Sequence, residues 1–228
     1  KEVSFSPPDI SDAEIEEGQM IFGRICSADD CIPALIDILE GHFYIGRSKT
    51  RGKGKARVAS VNEITMDIVV LCSEWELWNQ KAKELLGDSW RWDFLFALTL
   101  KSDTIIVDEL LRPSNDPSND VIWLPKVDGG VCTFGNGTIE SVFHFSQLDR
   151  ISGWNSAHGL PKNDDFGIRR GSVFVYGFLG NEKDRHQLQE RLVELAVEGI
   201  GLRKTEGFGQ ITVNDFFHSK QVEVVFDD

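Results

Sequence analysis

Two glycine-punctuated loops that align with each other constrain this chain more than any other feature of its sequence. The later one reads Gly199-Ile200-Gly201-Leu202-Arg203-Lys204-Thr205-Glu206-Gly207-Phe208-Gly209-Gln210-Ile211-Thr212-Val213, and the earlier one runs from Gly46 to Val58. Gly46, Lys49, Thr50, Gly52, Gly54 and Val58 fall on Gly201, Lys204, Thr205, Gly207, Gly209 and Val213. Each copy follows an apolar helical pattern closed by a glycine, Gly41 or Gly199. Internal self-similarity of this kind points to a duplicated supersecondary unit.

Glycine reaches positive φ without steric cost and lets another backbone come close. A run of such residues can aim several N–H groups at one anion. The earlier loop adds Arg47, Lys49, Arg51, Lys53, Lys55 and Arg57, with no acid among them. If residues 53–58 form a strand, Lys53, Lys55 and Arg57 share one face, a cationic ridge backed by Gly54, Ala56 and Val58. A nucleotide P-loop does not fit. It requires four residues between its glycines and then Gly-Lys-Ser/Thr, whereas Gly54 follows Lys53 here and Phe208 occupies the lysine position of the second copy. A polyanion site and a glycine turn with solvated charges both remain open on residues alone; the repetition and the cation cluster favour the first.

The run Gly199–Val213, a helix followed by G-h-G-x-R-x-x-E-G-F-G-x-h-x-V, resembles the signature loop of the RAMP superfamily of CRISPR–Cas proteins. Gly153-Trp154-Asn155-Ser156-Ala157-His158-Gly159-Leu160-Pro161-Lys162, followed by Ile168-Arg169-Arg170-Gly171-Ser172-Val173-Phe174, is similar to RAMP subunits of type III effector complexes, most closely the type III-D Csx-ten family. The resemblance covers roughly residues 40–60 and 150–215. It implies an α+β chain of tandem ferredoxin-like (RRM-like) units that binds CRISPR RNA beside other Cas subunits, near the guide 5′ end. It also implies RNA contacts at Gly46, Arg47, Lys49, Arg51, Gly52, Lys53, Gly54, Lys55 and Arg57 in the first loop, and at Gly201, Arg203, Lys204, Gly207, Phe208 and Gly209 in the second. Trp154, His158, Lys162, Arg169 and Arg170 complete the candidate set. Residues 1–62 would be the end of a first domain and 63–228 a second. The chain begins at Lys1 without the first half that such subunits carry, so it reads as the C-terminal part of a longer protein.

Charge qualifies this picture. The 228 residues carry a net charge of −13. Free-standing, non-specific nucleic-acid binders are usually basic, because neutralising phosphates drives their affinity. A locally basic groove inside a larger assembly is compatible with the acidic total. Cys26, Cys31, Cys72 and Cys132 form no CxxC pair, and buried free thiols in a reducing cytoplasm are expected. No segment reaches the length of a membrane-spanning helix, and neither metal nor cofactor is expected.

In chain order, a short strand is expected over Gln19–Cys26 and a helix over Ile32–Leu39. Phe43–Ile45 leads into the first glycine loop, and Val58–Leu71 reads as β-rich, with Ile68, Val69 and Val70 near its end. Ser73 and Glu76 make a capping-box pattern for a helix over Glu74–Leu86, with Trp75 and Trp78 directed to the core. Trp92–Leu100 and Thr104–Leu111 read as strands around a hairpin-like turn, Lys101–Asp103. Residues 112–120 and 153–167 read as loops, and Val121–Leu124, Gly130–Phe134, Ile139–Phe145, Gly171–Leu179 and Val222–Phe226 as strands. Asp184 opens a helix with Leu188, Leu192, Leu195 and Ala196 at helical spacing, closed by Gly199, before Gln210–Val213.

No catalytic residue is assigned. His42, His144, His158, His186 and His218 are scattered, with no partner spacing that defines a triad. Two functions follow: a non-catalytic RNA-binding subunit, or an endoribonuclease that processes precursor CRISPR RNA or cuts target RNA. In the second, a histidine would act as general acid or base, or Asp116 or Asp120 would serve target cleavage.

Overall fold

Seven successive residues, Phe94–Leu100, are buried at every position, so the strand they form is covered on both faces. The main sheet of the second unit is built outward from it. The computed structural model describes residues 2–4, 24–26, 31–39, 42–44, 55–58, 62–64, 68–108, 110–117, 132–155, 158–215 and 217. The chain divides into two compact units, Lys1–Asp67 and Ile68–Asp228. Both belong to a mixed α+β architecture with antiparallel sheets.

In the first unit, β1 (Glu2–Ser4) pairs antiparallel with β2 (Arg24–Cys26) on one side and β5 (Asn62–Ile64) on the other. The helix α1 (Ile32–Leu39) has the bounds its apolar spacing predicts. A separate pair follows, β3 (His42–Tyr44) against β4 (Lys55–Arg57), with His42 opposite Arg57 and Tyr44 opposite Lys55. The first glycine loop therefore joins two antiparallel strands.

The second unit opens with α2 (Ile68–Leu86) and a short 3-10 turn, then β6 (Phe94–Leu100). A two-residue hairpin, β7 (Ile106–Val107) with β8 (Pro113–Ser114), precedes β9 (Cys132–Phe134) and β10 (Gly137–Phe145). Next come β11 (Leu148–Ile151), β12 (Trp154–Asn155), β13 (Leu160–Pro161), β14 (Asp165–Ile168), β15 (Val173–Leu179), α3 (Glu182–Glu198) and β16 (Ile211–Val213). The main sheet has the order β16-β6-β15-β10-β9, antiparallel throughout; β11 pairs with β14, and β12 with β13.

Register separates the two faces of this sheet. Phe94, Phe96 and Leu98 lie opposite Phe178, Tyr176 and Phe174, and the rings of Phe96 and Tyr176 stack at 5.4 Å. These residues are buried, as are Leu188, Leu192, Leu195 and Ala196 of α3, and they form the core. On the other face, Trp78 and Trp92 pack with Leu95 and Ala97, joined by Ala82, Trp90, Val173 and Val175. Trp75 and Trp78 are thus core residues, as expected.

The free side of β6 is completed by two asparagines. β16 reaches only Leu98–Leu100. Beyond it, Ala97 donates its amide to Asn214 Oδ1 at 2.8 Å and accepts from the Asn214 amide at 2.9 Å. Further along, Leu95 donates to Asn79 Oδ1 at 2.7 Å and accepts from Asn79 Nδ2 at 3.0 Å. One side-chain amide has the donor and acceptor that a neighbouring strand would offer.

Several expectations are corrected. Ile68, Val69 and Val70 begin α2 rather than ending a strand. β-branched propensity is a weak preference that tertiary context overrides. Ser73 lies inside that helix, and its hydroxyl donates back to the Val69 and Val70 carbonyls at 2.6 and 3.1 Å. Lys101–Asp103 is no hairpin turn: β6 pairs with β15 and β16, whereas Thr104 bridges to Ile168 and Ile105 to Leu202. The expected loop over 153–167 contains β12, β13 and most of β14, and Pro113–Ser114 of the expected loop 112–120 forms β8. Cys31 is exposed and Cys72 half-buried, against the expectation of buried thiols. The strands expected at 121–124 and 222–226 lie outside the described residues, as do Cys26's side chain and Asp120. No described helix is long and apolar enough to cross a membrane.

Candidate nucleic-acid interface

The second glycine loop starts where α3 stops. Asn181 caps the helix by accepting the Asp184 amide at 2.9 Å, and Gly199 closes it at φ 73°. From there the backbone folds back on itself. Ile200 donates to the Gly209 carbonyl at 2.8 Å, Leu202 to Ile105 at 2.9 Å, and Gly209 to Asp103 at 3.0 Å. The amides of Glu206, Gly207 and Gln210 bond within the chain as well. Gly209 has φ 76°, and a Cβ there would lie 1.8 Å from the Ile200 carbonyl oxygen, so no other residue fits. Gly207 has φ 93° but open space where its Cβ would be. Much of the loop's donor capacity is therefore committed to fastening it onto residues 102–105, which in turn clip onto β14.

One of its two cations is paired too. Arg203 adopts a left-handed backbone, φ 56°. Its guanidinium bonds to Glu206 at 2.7 and 3.0 Å and to Asp165 at 2.7 Å, and lies 4.9 Å from the Phe208 ring centroid. Lys162 reaches Glu206 at 2.6 Å. Two cations and two carboxylates thus balance locally, tying the loop to β14 and to the end of the Trp154 segment. Hydrogen bonds from Arg203 and then Lys162 pull the Glu206 carboxyl from its ordinary 4.5 to about 2, and the same bond raises Arg203.

A shallow cleft of about 220 Å³ lies beside this cluster, lined by Lys101, Ser102, Asp103, Arg170, Glu206, Gly207 and Phe208. It brings together three residues the sequence nominated, Arg170, Gly207 and Phe208. Arg169 is adjacent, its amide donating to Gln147 at 2.7 Å. Both arginines are exposed. Lys101 is paired with Asp215, whereas no ion pair engages Arg169, Arg170 or Lys204 among the described residues. Trp154 is exposed on β12, and the His158 amide donates to Asn155 Oδ1 at 3.3 Å.

The first loop contributes less that can be described. Lys55 and Arg57 stand on β4, with Arg57 exposed. Gly46, Arg47, Lys49, Arg51, Gly52, Lys53 and Gly54 lie outside the described residues. The lead-ins of the two loops also differ: β3 intervenes after α1, whereas α3 runs directly into Gly199.

Two residues that sequence reasoning did not nominate stand out. Phe143 and Phe145 are 58% and 67% exposed on a strand of the main sheet. The alternation in Ser141-Val142-Phe143-His144-Phe145 marks them only as every-second-residue aromatics, a pattern that an inward-facing strand shows equally.

Comparison with family models and with curated proteins finds no match to this chain.

Proposed function

We propose that this chain is a non-catalytic RNA-binding subunit of a type III CRISPR effector complex, holding CRISPR RNA near its 5′ end alongside other Cas subunits. The observation that carries the reading is the β15–α3–glycine loop–β16 unit, whose sequence is the RAMP-like signature. Its loop sets a surface with Arg169, Arg170 and Lys204, three cations outside every described ion pair, Lys204 also donating to the Gly199 carbonyl at 3.5 Å. Numbering β6, β10, β15 and β16 from one to four gives the order 4-1-3-2, that of a ferredoxin-like sheet. One departure is instructive: α2 precedes β6, instead of crossing from β6 to β10. The tandem arrangement rests on the first loop's sequence and the β3–β4 pair.

Within this reading the second loop divides its labour. Arg203 and Lys162 brace the fold through Glu206 and Asp165, and backbone contact with RNA falls to Arg169, Arg170 and Lys204. In the first loop, Lys53, Lys55 and Arg57 hold phosphates; target RNA is a further candidate partner of the same surface.

The test is to express the tagged chain with its neighbouring genes and sequence the RNA that copurifies. Discrete guide-sized RNAs sharing one repeat-derived 5′ sequence are expected. A chain recovered free of nucleic acid would sink the proposal. In the assembled complex, changing Lys53, Lys55 and Arg57 together to alanine should weaken guide retention and flatten its salt dependence, by roughly 0.7 in log–log slope for each phosphate no longer neutralised.

A further inference from the structure

A single irregularity in β10 decides which way two phenylalanines point. Ile139 lies opposite Phe178 and Ser141 opposite Tyr176, both on the core face. Were the alternation to continue, Phe143 and Phe145 would follow them onto the face of Phe178 and Tyr176. Instead the register shifts at Val142, and Phe143 lies opposite Val175 and Phe145 opposite Val173, on the other face. His144 takes the core side, stacked on Phe174 at 6.2 Å. A β-bulge redirects side chains in this way, and the result is two large exposed rings side by side on the face opposite the exposed His144.

The geometry points to a stacking platform: Phe143 and Phe145 hold successive bases of a single-stranded RNA segment, whose backbone is neutralised by Arg169 and Arg170. This rests on the RNA-binding reading above and adds to it a surface, a contact mode and a strand path. Residues two apart on one face of a strand are spaced at roughly 7 Å, within the reach of neighbouring unstacked bases. Base–aromatic stacking needs no particular sequence, because every base has a π-face. The arginines belong to the same end of the sheet: Val173 faces Phe145, and the Arg169 amide bonds to Gln147 two residues beyond it. Their side chains have no ion-pair or hydrogen-bond partner among the described residues. Exposed aromatic rings at the end of the sheet where two arginines outside the described ion pairs also emerge suit bases and phosphates better than they suit a purely apolar protein surface.

The experiment uses the tagged chain assembled with its neighbours in cells fed 4-thiouridine, followed by near-ultraviolet crosslinking and mass spectrometry of peptide–RNA adducts. Crosslinks are expected in the peptide containing residues 141–148. The double change Phe143→Leu and Phe145→Leu keeps apolar bulk and removes the rings; it should lower that crosslink at least about fivefold, with thermal unfolding of the chain unchanged. If RNA copurifies but the crosslinks lie elsewhere and the leucine variant retains as much RNA as wild type, the platform is overturned while the RNA-binding reading stands. If Phe143→Glu releases a protein neighbour and leaves RNA retention untouched, the face is a protein contact and the platform is equally overturned. Absence of RNA from the wild-type assembly removes both.

Discussion

A methyl group added at Gly209 would meet the Ile200 carbonyl oxygen at 1.8 Å, inside any tolerable contact, whereas one added at Gly207 would meet nothing. Both residues have positive φ, so alanine at 207 bears only the conformational penalty of about 1–2 kcal/mol. Gly207→Ala is expected to lower the urea midpoint modestly. Gly209→Ala should cost several times as much, or leave too little folded chain to measure; equal effects would mean that the loop does not close on itself as described. Glu206 offers a second test at this scale. Its carboxyl, drawn down by Arg203 and Lys162, should stay ionised well below 4.5 and protonate only near 2. A depressed folded-state value stabilises the fold above the unfolded value and loses that contribution as pH falls toward the folded one. The brace is therefore intact at neutral pH and weakens between about pH 4.5 and 2. In Arg203→Ala, a carboxyl titration followed by NMR should move back toward 4.5.

Among the elements, α2 does more than cover a surface. Asn79 donates to the Trp75 carbonyl and spans both the amide and the carbonyl of Leu95, all in a buried setting. Asn79→Ala leaves two buried backbone groups unpaired, at about 1–3 kcal/mol each, and a loss of about 2–4 kcal/mol by denaturant titration is expected. A loss below about 0.5 kcal/mol, the scale of a surface substitution, would show that water replaces the amide. The helical spacing of Leu188, Leu192 and Leu195 made α3 and its glycine stop legible in the sequence, and Ile32–Leu39 likewise. The start of α2 was not legible, because Ile68-Val69-Val70 has the composition of a strand and only packing decides against it. The platform face was hidden for a related reason. The outward turn of Phe143 and Phe145 depends on one extra residue at Val142, and alternation in sequence carries no sign of where a register shifts. At the second glycine loop, the residues were legible and their division was not: pairing of Arg203 with Asp165, far off in sequence, turns an apparent phosphate ligand into a brace.

For the molecule as a whole, net charge sets the terms of any RNA contact. At −13 the chain repels polyanions at long range, so binding depends on cations outside the described ion pairs and on neighbours that supply more. This separates two sets of variants. Arg169→Ala with Arg170→Ala should lower RNA retention and shrink its salt slope by roughly 1.4, with unfolding unaffected. Arg203→Ala should do the reverse, reducing stability while leaving the salt slope alone. Parallel behaviour of the two sets would refute the division between bracing and binding cations.

The two asparagines beside β6 have a consequence for behaviour at high concentration. The half of this strand that β16 does not reach would otherwise present a row of open amides and carbonyls, to which another chain could add a strand of its own. With Asn79 and Asn214 seated there, the Leu95 and Ala97 amides should exchange with deuterium as slowly as those between paired strands, and the margin most exposed to intermolecular templating is closed without any strand being used to close it.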